Sequence, residues 1–158
     1  MILTKTCDSI TIKSNLIAEA TLPNVVSVVV SAQINCCSDK KNTTLVGMNG
    51  VDTFVLTPAF FGFTTLKDGI YHIELESTLD DGTKKKEVRC VFIDCALICK
   101  LVSFMANNPD SKTYELYELI KLGETCGQCD CSDLCMLYKK LIEDIKLTQD
   151  KAVDCGCK

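Results

Sequence analysis

The stretch Ile70-Tyr-His-Ile-Glu-Leu-Glu-Ser-Thr-Leu79 alternates apolar and polar side chains and decides the fold of the first part of the chain. Such alternation predicts a β-strand with one buried face. We expect Tyr71, Ile73 and Leu75 to point inward and His72, Glu74 and Glu76 to point outward. Asp80-Asp81-Gly82 predicts a tight reversal in which Gly82 takes positive φ, and residues 87–93 return as the second strand of a hairpin.

Further strands precede this hairpin. Short strands are predicted at 10–12, 43–48 and 52–57, and the dense β-branched run 24–34 predicts a longer one. In that run we expect one buried face made of Val26, Val28, Val30, Ala32 and Ile34. Residues 1–93 therefore predict a domain formed by an antiparallel β-sandwich. An immunoglobulin-like arrangement is the finer expectation, although the chain has no Trp.

Helical spacing replaces strand alternation at Asp94. Pro109 should end the first helix near Asn107-Asn108, because it disfavours helix in the preceding residue. Ser111 should cap a second helix that ends at Gly123. Its expected inward side chains are Leu116, Leu119 and Ile120. A third helix should place Leu134, Tyr138, Leu141 and Ile145 in one stripe. Residues 94–158 thus predict a small helical, cysteine-rich unit, and the whole chain an α+β fold.

Six of the 12 cysteines lie in this unit's last part, in Cys126-Gly-Gln-Cys129-Asp-Cys131-Ser-Asp-Leu-Cys135 and Cys155-Gly-Cys157. Cys126, Cys129, Cys155 and Cys157 form a C-x-x-C and C-x-C set, and four thiolates are what a structural zinc site requires. Cys131 or Cys135 can replace any member. The alternative is that these residues are unligated or disulfide-linked thiols, so the zinc cofactor stays a hypothesis.

The remaining cysteines and the single histidine give no signature of an active site. Cys95 and Cys99 lie in an apolar stretch, which predicts core packing, and Cys7 and Cys90 have no partner in the sequence pattern. His72 predicts a surface histidine. The chain contains no P-loop and no G-x-S-x-G or H-E-x-x-H motif. Cys126-Gly-Gln-Cys129 has dithiol oxidoreductase spacing, but it follows a helix and loop, so a thiol–disulfide oxidoreductase is only a third hypothesis.

Composition excludes several classes of function. The net charge of -4 argues against nucleic-acid binding as the main role. The longest apolar run is too short to cross a membrane, and the N-terminus lacks the pattern of a signal peptide. We therefore expect synthesis in a reducing cytoplasm, where dense cysteine favours metal binding or buried thiols, although oxidation becomes possible if the protein leaves the cell in a particle.

The segment Thr57-Pro58-Ala59-Phe60-Phe61-Gly62-Phe63 concentrates aromatic residues in a predicted loop. Loops lie on the surface, so this segment either covers a sheet edge or forms an interaction surface. The predicted subunit-contact residues are Pro58, Phe60, Phe61 and Phe63.

Several motifs in the second part of the chain carry a resemblance to a known family. They are Phe92-Ile-Asp-Cys-Ala-Leu-Ile-Cys99-Lys100-Leu101, Tyr117-Glu-Leu-Ile120, Cys129-Asp-Cys131, Cys135-Met-Leu-Tyr138 and the terminal Cys155-Gly-Cys157-Lys158. The chain resembles virion structural proteins of tailed bacteriophages, particularly the crAss-like group that infects gut Bacteroidetes.

The resemblance implies a non-enzymatic subunit made in the host bacterial cytoplasm and incorporated in the virion. It implies a homo-oligomeric ring of the head–tail connector, neck or tail, in contact with the portal or adjacent rings. The alternative from another class is a small cytosolic zinc-binding module with a regulatory or adaptor role.

Overall fold

The computed structural model describes residues 2–14, 25–35, 41–46, 53–126 and 131–146, with only the backbone of 42–46 and of Cys126. These residues form two compact units. The sheet unit comprises the residues before 68 together with 71–91, and the helical unit comprises 68–70 and the residues from 92 onward.

Within these described ranges, seven strands form two antiparallel sheets. They are β1 (Ile2–Lys5), β2 (Ile10–Lys13), β3 (Val25–Ile34), β4 (Lys41–Val46), β5 (Thr53–Leu56), β6 (Gly69–Leu79) and β7 (Lys84–Ile93). The first sheet has the order β1-β2-β5 and the second the order β4-β3-β6-β7. In the first, Ile10 lies opposite Leu56 and Ile12 opposite Phe54, and all four side chains are buried. The predicted order of antiparallel strands followed by helices, an α+β fold, is confirmed.

The alternation that predicted β6 is present in the structure. Tyr71, Ile73 and Leu75 are fully buried, whereas His72 and Glu74 on the other face are half-buried. Burying one such apolar side chain contributes about 1.5–3 kcal/mol. A shift of one residue in the pairing would exchange the two faces, so the apolar set fixes the register against β3.

The expected buried face of β3 is wrong at one position. Val28, Val30, Ala32 and Ile34 are buried, but Val26 is 41% exposed and its neighbour Val25 is buried instead. The cause is a register irregularity between Val25 and Ser27 in the pairing with β6. A bulge adds one residue on one strand and so reverses the alternation on its far side.

The described part of the second unit contains three helices. They are α1 (Leu97–Asn107), α2 (Thr113–Cys126) and α3 (Cys131–Lys146). The predicted end of α1 at Asn107 is confirmed, and the Asn108 side chain donates a hydrogen bond to the Phe104 carbonyl over 3.0 Å. At the start of α2, Ser111 Oγ accepts a hydrogen bond from the Thr113 backbone N–H over 3.2 Å. The predicted stripe of α3 is buried at Leu134, Leu141 and Ile145 and half-buried at Tyr138.

Two expectations for α2 are wrong. The helix does not end at Gly123 but continues to Cys126. Its buried side chains include Tyr117 and Ile120, while Leu119 is 50% exposed. The residue at 123 is glycine for packing, because a Cβ there would overlap the Cδ2 atom of Leu134 in α3. The glycine that signalled a helix end is therefore a point of close approach between two helices.

We expect Gly123→Ala to lower the free energy of unfolding by about 1 kcal/mol. Alanine gains about 0.5–1 kcal/mol in helix propensity. Overpacking against the buried Leu134 costs about 1–3 kcal/mol, which is larger. Urea unfolding measures the change. Leu122→Ala on the exposed side of the same helix is the control and should stay within about 0.5 kcal/mol of wild type; a stabilised Gly123→Ala protein would contradict the packing.

Candidate functional site

The aromatic segment of the sheet unit is a 3₁₀ helix (Pro58–Phe61) rather than the irregular loop expected. Pro58 occupies the helix start, where its fixed φ is favourable and a missing N–H costs nothing. Gly62 ends the helix with φ of 77° and donates its N–H to the Ala59 carbonyl over 3.1 Å. The Phe63 N–H closes the turn on the Pro58 carbonyl over 3.0 Å.

One aromatic ring anchors this segment to the sheet unit. Phe61 is buried, and its ring meets the Tyr71 ring edge to face with centroids 5.2 Å apart. The Tyr71 hydroxyl donates a hydrogen bond to the Lys67 carbonyl over 2.7 Å, so the polar end of this buried ring is satisfied. Phe61, one of the four predicted subunit-contact residues, is thus packed within its own chain.

The other aromatic side chains of the segment remain partly accessible. Pro58, Phe60 and Phe63 are half-buried, and Val55 just before them is 56% exposed. Lys67 Nζ lies 4.4 Å from the centroid of the Phe63 ring, a cation–π contact. We call Val55, Pro58, Phe60 and Phe63 the aromatic surface.

The outward face of the β6–β7 hairpin carries ion pairs. Lys84 Nζ lies 3.0 Å from Glu76 Oε1, and Lys86 Nζ lies 3.1 Å from Glu74 Oε1. His72 Nε2 is 3.4 Å from the same Glu74 oxygen. The Lys84–Glu76 pair is at a solvated position, where an ion pair contributes about 0–1 kcal/mol. This face is an ordinary charged sheet surface, and in the described part of the chain the neighbour of the His72 ring is a carboxylate rather than a nucleophile.

A set of carboxylates in the helical unit holds backbone and phenol groups in place. Asp94 Oδ2 accepts a hydrogen bond from the Tyr117 hydroxyl over 2.6 Å. Asp68 Oδ1 accepts from the Ala96 N–H at the start of α1 over 3.2 Å, and Glu124 Oε2 accepts from the Phe92 N–H. Burial raises the pKa of Asp68, while backbone donors oppose the rise. The sequence analysis did not predict these hydrogen bonds. The change from strand to helical spacing at Asp94 was the only sequence signal near them.

Two phenols lie beside these carboxylates. Burial and the hydrogen bond to Asp94 raise the pKa of Tyr117 well above its usual value. Burial, with a smaller contribution from the Asp68 charge, raises the pKa of Tyr138 to about 12. Both rings contact the Phe92 ring, with centroids 5.9 Å apart in each case. The phenols stay neutral at physiological pH, which suits packing rather than proton transfer.

We expect Tyr138→Phe to reduce the loss of stability at alkaline pH. An unfolded tyrosine releases its proton near pH ~10, and the folded protein raises the pKa of Tyr138 to about 12. The contribution of Tyr138 is therefore complete below about pH 10 and falls as pH rises from there. Urea unfolding at pH about 9 and about 11 compares the two proteins. Equal losses of free energy in wild type and variant would contradict the shift.

An open groove of about 580 Å³ lies on the helical unit. Phe104, Leu116 and Leu119 contribute apolar surface to it. Its charged lining consists of Lys112, Glu115, Lys140 and Asp144. Two cations and two carboxylates balance, so this lining does not favour an ion of either sign.

The predicted metal ligands fall mainly outside the described residues. Cys129, Cys155 and Cys157 lie outside them, and Cys126 is described only as the last backbone residue of α2. The proposed substitutes Cys131 and Cys135 are disulfide-bonded, a state without a thiolate for a metal. Across the described ranges, no three His, Cys, Asp or Glu side chains are placed to hold a metal ion.

Cys95 and Cys99 were predicted to pack in the core, and the structure differs in part. Both are disulfide-bonded, as are Cys7 and Cys90, and neither is fully buried. The linear spacing of cysteines carries no information about which of them meet after folding, so no partners could be assigned to Cys7 and Cys90 from the sequence.

None of the helices in the described part of the chain is long and apolar enough to cross a membrane.

Comparisons with known proteins identify no family for this chain. No protein-family model matches the chain. No curated protein shows significant sequence similarity to it.

Proposed function

We propose that this chain is a non-enzymatic structural subunit of a tailed-phage virion, forming a ring in the head–tail connector, neck or tail. The observation that supports this most is the aromatic surface, where Phe60 and Phe63 stay partly accessible while Phe61 anchors the segment. Aromatic side chains are enriched at protein–protein interfaces, and rigid aromatic anchors carry much of the binding energy there.

The aromatic surface suits one side of a repeated contact. In a closed ring each subunit uses two different surfaces, because the contact between neighbours is heterologous. The 3₁₀ helix fixes the backbone of the aromatic surface, and the packed Phe61 ring holds it against Tyr71. A surface held rigid before binding loses less entropy when it meets its neighbour. The partners in this proposal are further copies of the chain and the portal or adjacent rings.

We further propose that the two sheets of the sheet unit pack as an antiparallel β-sandwich, with an immunoglobulin-like topology as the specific form. Buried apolar side chains on both sheets support this arrangement, among them Ile10 and Ile12 on the first and Val30 and Leu75 on the second. One buried face on each of two sheets is the condition for such packing.

The charged groups of the described residues support a structural role. Asp94 and Asp68 accept hydrogen bonds from groups of their own unit, and Glu74 and Glu76 pair with lysines. Groups engaged in this way maintain the fold, and a nucleophile beside a general base does not occur among these contacts.

Immunoelectron microscopy of purified particles, with antibodies against this chain, tests the virion assignment. We expect label at the head–tail junction or along the tail, and peptides of the chain in the particle proteome at several copies per virion. Peptides found in infected cells but absent from purified particles would contradict the assignment.

A further inference from the structure

Four disulfide-bonded cysteines lie at the N-terminal ends of two helices in the helical unit. Cys95 lies two residues before α1, and Cys99 lies in its first turn. Cys131 is the first residue of α3, and Cys135 follows one turn later. Each helix start thus carries a C-x-x-x-C pair, and Cys131 and Cys135, which both lie within α3, share one face of that helix.

Neighbouring contacts place these two pairs in the same part of the unit. Asp68 accepts a hydrogen bond from Ala96, the residue after Cys95, and its charge acts on Tyr138 of α3. The Phe92 ring, three residues before Cys95, lies with its centroid 5.9 Å from the Tyr138 ring. Tyr138 is itself three residues after Cys135. The segment that carries Cys95 therefore lies beside the segment of α3 that carries Cys135.

We propose that the redox state of Cys95, Cys99, Cys131 and Cys135 is a switch that locks the helical unit. In the oxidised state, which the structure shows, all four cysteines are disulfide-bonded. In this proposal their bonds restrain the starts of α1 and α3. In the reduced state these restraints are absent, and the two helices open locally more often. A disulfide stabilises mainly by limiting the conformations of the opened chain, so its removal favours opening.

The switching reaction is thiol–disulfide exchange with a low-molecular-weight disulfide such as oxidised glutathione. A cysteine thiolate attacks one glutathione sulfur and releases one glutathione thiolate. A second cysteine thiolate then attacks the mixed disulfide, forms the protein disulfide and releases the second glutathione. Two protein thiols are oxidised, one glutathione disulfide is reduced to two thiols, and reduced glutathione in excess reverses the reaction.

Burial should make the locked state persistent. Cys131 is 5% exposed, whereas Cys7 in the sheet unit is exposed. A reductant must reach a sulfur atom to attack it, so the disulfide that contains Cys7 should open before the one that contains Cys131.

The timing of the switch rests on the proposed function, although the switch itself does not. A virion subunit is made in a reducing cytoplasm and later leaves it in a particle. Disulfides do not persist in the first environment and do persist in the second. Oxidation after release would lock the helical unit once assembly is complete.

Hydrogen exchange of the full-length chain, read by mass spectrometry, tests the switch. Oxidised protein and protein kept in dithiothreitol are compared on peptides from α1, α3 and β6. We expect exchange in α1 and α3 to be at least about tenfold faster in the reduced protein. Unchanged exchange of α1 and α3 on reduction would overturn the proposal. This result does not depend on whether the chain forms rings.

Two variants make the test specific. The quadruple replacement of Cys95, Cys99, Cys131 and Cys135 with serine should exchange like reduced wild type in either buffer. Cys7→Ser with Cys90→Ser is the matched control and should keep the redox difference in α1 and α3. Loss of that difference in the control would overturn the assignment to the helical unit. If the quadruple variant fails to fold, the comparison of oxidised with reduced wild type and the control variant still test the proposal.

Discussion

Phe92→Ala is expected to lower the free energy of unfolding by about 3–5 kcal/mol, because it empties a central position of the helical unit. The Phe92 side chain is fully buried, and its ring meets the rings of Tyr117 and Tyr138. Alanine would remove both aromatic contacts and leave a cavity. The backbone N–H that donates to Glu124 is kept, so the loss measures the ring alone.

Urea unfolding followed by circular dichroism measures this effect, with hydrogen exchange to locate it in the helical unit. Val88→Ala on the same strand is the control, because Val88 is 43% exposed and a surface change there should cost no more than about 0.5 kcal/mol. A loss below about 1 kcal/mol for Phe92→Ala, well short of the usual cost of a buried ring, would show that the ring is not a centre of packing.

The second large effect concerns assembly. Combined Phe60→Glu and Phe63→Glu should convert the proposed ring to free subunits, since two carboxylates would have to be desolvated in each contact. Phe61 stays unchanged because its buried ring anchors the segment. Sedimentation velocity should show the oligomer lost, and circular dichroism should show the fold kept.

Leu122→Glu is the matched control for this experiment. Leu122 is a 64% exposed apolar residue of α2 outside the aromatic surface, so its replacement adds a charge and leaves the aromatic surface unchanged. The control should sediment as wild type does. A folded double variant that still sediments as the oligomer would remove the aromatic surface from the contact.

Much of the fold could be predicted from local patterns. The alternation around Tyr71 and Leu75 determines β6 because an exchange of its faces would expose the apolar set. Pro109 determines the end of α1 through a steric effect on its neighbour. The irregularity near Val26 could not be predicted, because a bulge depends on the partner strand. The prediction that α2 ends at Gly123 was wrong for a related reason, because the role of this glycine depends on its close approach to Leu134 of another helix.

The candidate site, like the fold, could be predicted from the sequence only in part. The aromatic run that contains Phe60 and Phe63 stands out in sequence, but only the packing on Tyr71 separates the anchor Phe61 from its accessible neighbours. Cysteine spacing suggested zinc at Cys126 and Cys129, whereas the oxidation of other cysteines depends on which residues meet after folding. A local sequence pattern predicts a single helix or strand. Which residues of different elements meet depends on the folded structure, so the sequence pattern does not predict it.

The central claim is that this chain works as a ring-forming structural subunit, and native mass spectrometry of the full-length protein tests it most directly. We predict one closed oligomer whose mass is an integral multiple of 17.4 kDa, with any bound zinc visible as excess mass per subunit. A monomer at every protein concentration measured, with or without zinc, would contradict the account.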